Sequence, residues 1–187
     1  MTNEETLAIF RETHALLEGH FILRSGLHSR KYFQCALALQ EMPIVEKLAA
    51  GLVEKLRPLN PRTILAPAMG GLVIGQEVAR QLGCRFIFAE KENNRLVLRR
   101  GFQILKDEKI IVIEDVVTRG GRAQEAIDIA KNCEANVLGV GMVVDRSEGK
   151  FQPGVPLYSL LQLHVEAFDP NNLPEDLKNI PALHPGS

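Results

Sequence analysis

The stretch Lys109-Ile110-Ile111-Val112-Ile113-Glu114-Asp115-Val116-Val117-Thr118-Arg119-Gly120-Gly121-Arg122 constrains this chain more than any other. Ile110 to Ile113 are four consecutive β-branched residues without a polar break, so the strand they form needs cover on both faces, as in the centre of a parallel sheet. Two carboxylates, Glu114 and Asp115, follow at once. A short loop then supplies Thr118, Gly120 and Gly121 ahead of a run whose apolar residues Ala123, Ala126, Ile127 and Ala130 fall on one helical face. Strand, glycine loop and helix start make an anion site, because the first N–H groups of a helix are unpaired within it and carry partial positive charge. Carboxylates beside such a cradle would repel a bare phosphate. A ribose between them resolves the conflict: its 5′-phosphate rests on the loop while its vicinal hydroxyls donate charge-assisted hydrogen bonds to Glu114 and Asp115. The bland alternative is a tight βα turn whose acids face solvent.

Composition narrows the partners. The 187 residues, 45% hydrophobic and 24% charged, suit one compact domain. A net charge of −1 with no block of Lys and Arg gives no electrostatic case for nucleic acid, so any anion site is local. The acidic start Met1-Thr2-Asn3-Glu4-Glu5 is unlike a signal peptide, and no apolar run reaches membrane-spanning length, which predicts a cytoplasmic chain without membrane contact. Cys35, Cys84 and Cys133 are odd in number and widely spaced, as expected of reduced thiols rather than a disulfide framework or a zinc site.

Thr2 and Glu5 predict a capping box and a helix with Leu7, Phe10, His14 and Leu17 inward, ending near Gly19. Residues 20–35 read as two short strands joined by a polar turn, with Arg24, His28, Arg30 and Lys31 near it. Composition makes this a basic surface, although Arg24 lies between an apolar strand and a Ser-Gly turn, at a rigid edge from which it can enter a site. Pro43 opens a helix that buries Val45, Leu48, Ala49, Leu52 and Leu56, and Pro58 and Pro61 end it. Residues 63–66 form a strand, and after Pro67-Ala68-Met69-Gly70-Gly71 a helix runs over 72–82. This second strand, glycine loop and helix either binds another anionic group through its backbone or is only a turn.

Residues 85–89 form a further strand, and the polar stretch around Asn93-Asn94 reads as a hairpin or an exposed loop. Arg99 and Arg100 fit a solvated surface there, whereas Lys91 and Arg95 flank the turn, where a mobile loop is placed to close over a polyanion. Residues 137–144 form another buried strand. Arg146 follows at its carboxyl end, where open α/β sheets bind ligands, unless Asp145 or Glu148 pairs with it. Residues 156–163 form the last strand, and the tail from Asp169 packs as an irregular extension.

The segment from Val112 to Gly121 resembles the phosphoribosyl-diphosphate (PRPP) motif of type I phosphoribosyltransferases, and from about residue 13 onward the chain resembles the orotate phosphoribosyltransferases. The run from Gly19 to Ser29 is similar to the family's hood over the pyrimidine. Phe88-Ala89-Glu90-Lys91-Glu92 with Leu98-Arg99-Arg100-Gly101-Phe102 is similar to its shorter-loop bacterial branch, and Ile180-Pro181-Ala182 to Pro185-Gly186-Ser187 to its C-terminal ending. The resemblance implies an α/β type I phosphoribosyltransferase fold, a mostly parallel central sheet flanked by helices with a small N-terminal hood. It implies one domain over 1–187, with a hood from about 1–40 plus the C-terminal extension and a core from about 43–165.

The implied activity converts orotate and PRPP into orotidine 5′-monophosphate and pyrophosphate in pyrimidine biosynthesis, in a homodimer. Mg²⁺ would be carried by PRPP with no direct protein ligand, Asp115 reaching it at most through water. Glu114 and Asp115 would hold the ribose hydroxyls, and Val116, Val117, Thr118, Arg119, Gly120, Gly121 and Arg122 would line the 5′-phosphate. Met69, Gly70, Lys91 and Arg95 would meet the pyrophosphate, and Arg24, Tyr32, Phe33, Thr118 and Arg146 the orotate. Lys91, from a mobile loop crossing the dimer interface, and Asp115 are the residues it assigns to catalysis.

The chain departs from that pattern in places. Gly70 stands where many relatives carry Lys, so contact there falls to backbone N–H groups, and the longer mobile loop with a Lys and a His-Gly pair is absent. Arg24 stands where Lys is usual, and Arg119 at a position usually small, where it either touches phosphate or points to solvent. Leu173-Pro174-Glu175-Asp176 replaces a paired-Cys segment, which argues against a metal there. Three rivals remain. A phosphoribosyltransferase for another base shares the central motif but not the hood segment or Arg146. A PRPP-sensing regulator without turnover usually adds a DNA-binding segment, for which this chain has little room. A doubly wound domain for some other phosphate ligand requires Glu114 and Asp115 to be incidental.

Overall fold

The apolar runs become the middle of a six-stranded sheet. The structure is a computed structural model and describes residues 1–23 and 26–184. The strands are β3 (Thr63–Pro67), β4 (Arg85–Glu92), β5 (Arg95–Leu98), β6 (Lys109–Val117), β7 (Asn136–Asp145) and β8 (Leu157–Gln162), in the order β5-β4-β3-β6-β7-β8. Every neighbouring pair is parallel except the β4–β5 hairpin.

Ile110 to Ile113 have no exposed surface because helices cover both sides. Ile111 and Ile113 pack into a core with α3 (Met42–Leu56) and α4 (Gly71–Leu82), and Ile110 and Val112 into another with α5 (Gly121–Asn132). That alternation is the two-residue period of a strand. At roughly 1.5–3 kcal/mol for each fully buried aliphatic side chain, these four residues anchor β6 firmly ahead of the two carboxylates, which the strand carries before it ends at Val117. The predicted stripe of α3 is buried throughout, and so are Ala123, Ala126, Ile127 and Ala130 of α5.

The N-terminal helix is shorter than its apolar spacing predicts. Helix α1 (Asn3–Glu12) has the capping box, with the Glu5 N–H donating to Thr2 Oγ1 at 3.2 Å and the Thr2 N–H to Glu5 Oε2 at 2.7 Å. It stops at Glu12, not near Gly19: His14 takes a left-handed conformation (φ 53°), and Leu16 and Leu17 pair with Phe33 and Tyr32 in an antiparallel ladder. That ladder joins β1 (Leu16–Ile22) to β2 (His28–Phe33), and the short helix α2 (Cys35–Leu39) follows.

This two-stranded sheet is flanked on both edges by the tail. The Ile22 N–H donates to the Leu183 carbonyl and the Leu183 N–H to that of His20, while His28 and Phe168 exchange a pair of backbone bonds at 2.8 and 2.7 Å. Arg30 donates to both oxygens of Asp176, just inside α6 (Glu175–Lys178), and to Glu166, and it lies 4.7 Å from the centre of the Phe168 ring. Buried His20 bridges His28 Nδ1 and the Ile180 carbonyl. The basic surface read from this segment is therefore partly committed to holding the tail.

Of the two readings of the Asn93-Asn94 stretch, the structure takes the hairpin. Both asparagines have positive φ, 48° and 65°, as a two-residue hairpin turn requires, and the ladder runs from Ala89↔Leu98 to Glu92↔Arg95. Among the described residues no helix is long and apolar enough to cross a membrane.

Candidate active site

Parallel pairing of β3 with β6 sets two strand-to-helix turns side by side at the carboxyl edge of the sheet. In the β3 turn the Ala68–Met69 peptide is cis and Met69 is 80% exposed. Glycine is required next because the acidic pair comes so close. A Cβ on Gly70 would overlap the Asp115 carboxylate, with Cγ at 2.8 Å and Oδ2 at 2.9 Å. A Cβ on Gly71 would lie 2.5 Å from the Ile113 carbonyl and 3.3 Å from Glu114 Oε2. The acids near the end of β6 thus pack on the start of α4 and the glycine before it, and the space a larger residue at position 70 would need is filled by Asp115.

Glu114 is 7% exposed and Asp115 half-buried. Burial, and then the charge of Asp115, pushes the Glu114 carboxyl up to about 8. Burial also raises Asp115, while the Val116 N–H, 2.8 Å from Oδ1, favours its ionised form. Burial and their mutual repulsion thus favour a shared proton on the pair, chiefly at Glu114. One neutral and one charged carboxyl beside each other can both donate to and accept from vicinal hydroxyls.

In the β6 turn Thr118 and Arg119 are exposed, and Gly120 (φ 73°) precedes α5, its carbonyl accepting the Gln124 N–H at 2.8 Å. A Cβ on Gly120 would overlap the buried ring of Phe151, which arrives from the loop after β7. Val117 turns its side chain into the core, and its carbonyl accepts the Arg146 N–H at 2.8 Å. Its part is therefore to seat Arg146, and the side chain does not line an anion. Arg122 donates to Glu125 at 3.0 and 3.2 Å.

Arg146 is half-buried, and its Nε has no hydrogen-bond partner. Neither expected acid neutralises it: Asp145 Oδ1 accepts the Ser147 N–H, and Glu148 pairs with Lys150 and His164, each at 2.8 Å. Burial lowers the pKa of the guanidinium, an effect that Tyr32, Cys35 and Glu148 partly offset. Tyr32 of β2 thus lies within electrostatic reach of the end of β7. Phe33 does not share that position; it is 5% exposed and packs edge-on to Phe10, 4.4 Å between ring centres, in the core. Arg24 lies outside the described residues.

On the hairpin, Glu90 holds Arg100 at 2.7 Å and Glu92 holds Arg99 at 3.5 Å. Lys91 and Arg95 are exposed and make no ion pair among the described residues. Phe151, Glu125 and the buried hydroxyl of Ser147 also belong to this neighbourhood without a signal in the sequence, and Cys35, expected only as a reduced thiol, lies within electrostatic reach of Asp115 and Arg146. No local pattern marks them, since each acquires its place through contacts distant along the chain.

The model of the phosphoribosyl transferase domain matches residues 37–172. An orotate phosphoribosyltransferase of Desulforamulus reducens is 45% identical over 187 residues, covering 100% of this chain and 98% of its own. One from Carboxydothermus hydrogenoformans is 46% identical over 181 residues, covering 96% and 95%. The crystal structure of orotate phosphoribosyltransferase from Aeropyrum pernix superposes with a TM-score of 0.73 at 22% identity, over 83% of this chain and 92% of that one, and shares the fold.

Proposed function

The chain belongs to the orotate phosphoribosyltransferase family, and from that premise we propose how its own residues divide the transfer of the 5-phosphoribosyl group from PRPP to orotate, which yields orotidine 5′-monophosphate and pyrophosphate. The observation that carries the reading is the Glu114–Asp115 pair where two glycine turns meet, with Arg146, whose Nε has no partner among the described residues, acting with Asp115 on the same Cys35 thiol. Backbone N–H groups of residues 118–122 receive the 5′-phosphate, and Glu114 and Asp115 take the ribose hydroxyls. The backbone at Met69 and Gly70 receives the pyrophosphate, with Lys91 and Arg95 closing on it from the hairpin. Arg146, Thr118, Tyr32 and Arg24 form the base side.

The bond from the anomeric carbon to the pyrophosphate oxygen breaks, its electron pair leaving on pyrophosphate, and a ring nitrogen of orotate forms the new bond, its N–H proton passing to water or to the departing pyrophosphate. The carboxylates face the oxocarbenium-like charge that develops on the ribose, so the chemistry is positioning and charge stabilisation without a covalent nucleophile. Arg146 sets the choice of base. The Nε of this half-buried side chain has a hydrogen bond to give, and the carboxylate of orotate supplies a charged acceptor for it where uracil, hypoxanthine and adenine cannot.

The residues fit a magnesium ion that enters on the diphosphate better than a resident one. No three His, Cys, Asp or Glu side chains converge among the described residues, and no cationic side chain is hydrogen-bonded to Glu114 or Asp115. When bound, Mg²⁺ would neutralise leaving-group charge, with Asp115 reaching it through water. The reading extends to a cytoplasmic homodimer in which Lys91 serves the neighbouring site. The exposed Met69 (80%) of the β3 turn and Val73 (40%) in the first turn of α4 support the dimer by offering apolar surface next to the site.

The deciding assay follows orotate's ultraviolet absorbance on mixing protein, PRPP and Mg²⁺, with uracil, hypoxanthine and adenine in parallel. Orotate-specific loss is expected, reduced on the order of 10²–10³-fold by Asp115→Asn or Lys91→Ala. Unchanged orotate with PRPP still bound would favour another base or a sensor. Analytical ultracentrifugation checks the dimer.

A further inference from the structure

We propose that Glu125 is a positioning residue that ties the hairpin bearing Lys91 to the turn that receives the 5′-phosphate. Its Oε2 accepts the Leu96 N–H at 2.6 Å, and both of its oxygens accept from Arg122 Nη1, at 3.0 and 3.2 Å. Leu96 stands directly across the β4–β5 ladder from Lys91. Strand β5 is the edge of the sheet, where an outward N–H would ordinarily meet water. Here that donor is taken by a carboxylate from the second turn of α5, five residues after Gly120.

A charged acceptor on a backbone N–H makes one of the stronger hydrogen bonds, and this one joins two elements 29 residues apart. Its cost also points beyond edge capping. A carboxylate near a phosphate cradle opposes the anion, and here it is tolerated because Arg122 and the Leu96 N–H balance it. What the arrangement gains is a fixed place for the hairpin on its own protomer. In the dimer proposed above Lys91 serves the neighbouring site, so Glu125 sets the reach of Lys91 into that site from the helix that follows its own phosphate turn. The inference rests on the assignment of Lys91 to the leaving group, so the test separates the two.

Glu125→Ala and Glu125→Gln are compared with Lys91→Ala. Gln keeps an oxygen for the Leu96 N–H and gives up the charge toward Arg122. The readouts are kcat with PRPP and orotate, affinity for ribose 5-phosphate, which has the 5′-phosphate but no pyrophosphate, and hydrogen exchange over residues 90–98. Glu125→Ala is expected to lower kcat about 10–100-fold, as misplacement by an ångström does. Ribose 5-phosphate affinity should stay within about threefold of wild type and the Leu96 amide should exchange faster, with Glu125→Gln recovering most of kcat. Thermal destabilisation with unchanged kcat would reduce Glu125 to an edge cap, and affinity for ribose 5-phosphate falling as far as kcat would confine it to the phosphate turn. Either overturns the proposal alone if Lys91→Ala is inactive. If Lys91→Ala keeps wild-type kcat, the assignment of the hairpin falls and takes the proposal with it.

Discussion

The turns after β3 and β6 are built on one plan, a buried strand, two adjacent glycines and a twelve-residue helix, yet what presses on the glycines differs. Against Gly70 lies the Asp115 carboxylate, and against Gly120 the Phe151 ring. A carboxylate changes its protonation and its partners when a ligand arrives, whereas a buried ring has one place to be. On the proposed assignment the β6 turn is a fixed mould for the phosphate common to substrate and product, and the β3 turn can respond to the group that leaves. Similar glycine pairs announce an anion site in both places, and the residue behind each pair decides whether that site yields.

The largest effect should come from breaking the rigid turn. Gly120→Ala combines overlap with Phe151 and a positive φ costing roughly 1–2 kcal/mol, and kcat/KM for PRPP should fall by about 10² or more. Gly120→Ala with Phe151→Ala should recover the overlap part. A double variant no better than the single would show that the ring is not the constraint. In the other turn, Gly70→Ala should cost about 10–100-fold in activity by displacing Asp115. It should add little to Asp115→Ala, which removes the obstacle, and full additivity in that double-mutant cycle would break the comparison.

Phe151→Leu loosens the mould without filling it differently. The KM for PRPP should rise about threefold to tenfold with kcat nearly constant, alongside roughly 1–2 kcal/mol of lost stability by urea titration. In the absence of substrate the acid pair affects stability and not turnover. Glu114 ionises at about 8 when folded and about 4.5 when unfolded. As pH rises between those values the unfolded chain gives up its proton first, so stability is fullest below about 4.5 and declines toward pH 8, by at most a few kcal/mol. Urea midpoints at pH 5.5 and 8 should show this slope in the wild type and a flatter one in Glu114→Gln.

Sequence reached the parts of this molecule whose causes are local. Strand β6, its acids and glycines, the buried stripe of α3 and the capping box of α1 are each specified within about a dozen residues. The end of α1 was misplaced because Leu17 continues a helical spacing, and only its pairing with Tyr32 shows that it belongs to a strand. Phe33 was grouped with its neighbour Tyr32, but alternation along β2 sends the two side chains to opposite faces. Phe151 behind Gly120 and Glu125 beneath Leu96 were invisible because their partners lie about thirty residues away and no periodicity links them.

The backbone bonds that run from Ile22 and His20 to Leu183, and from His28 to Phe168, carry a consequence for how the protein is made. A ribosome releases the six strands of the large sheet, ending at Gln162, before it releases the partners of the small one. Contacts of such sequence separation close late, after the loop entropy has been met. The strand pair that carries Tyr32, although among the first segments synthesised, must wait for the last ones. A nascent chain can thus own a finished six-stranded sheet, with both of its glycine turns, while the two-stranded sheet still lacks its flanking segments.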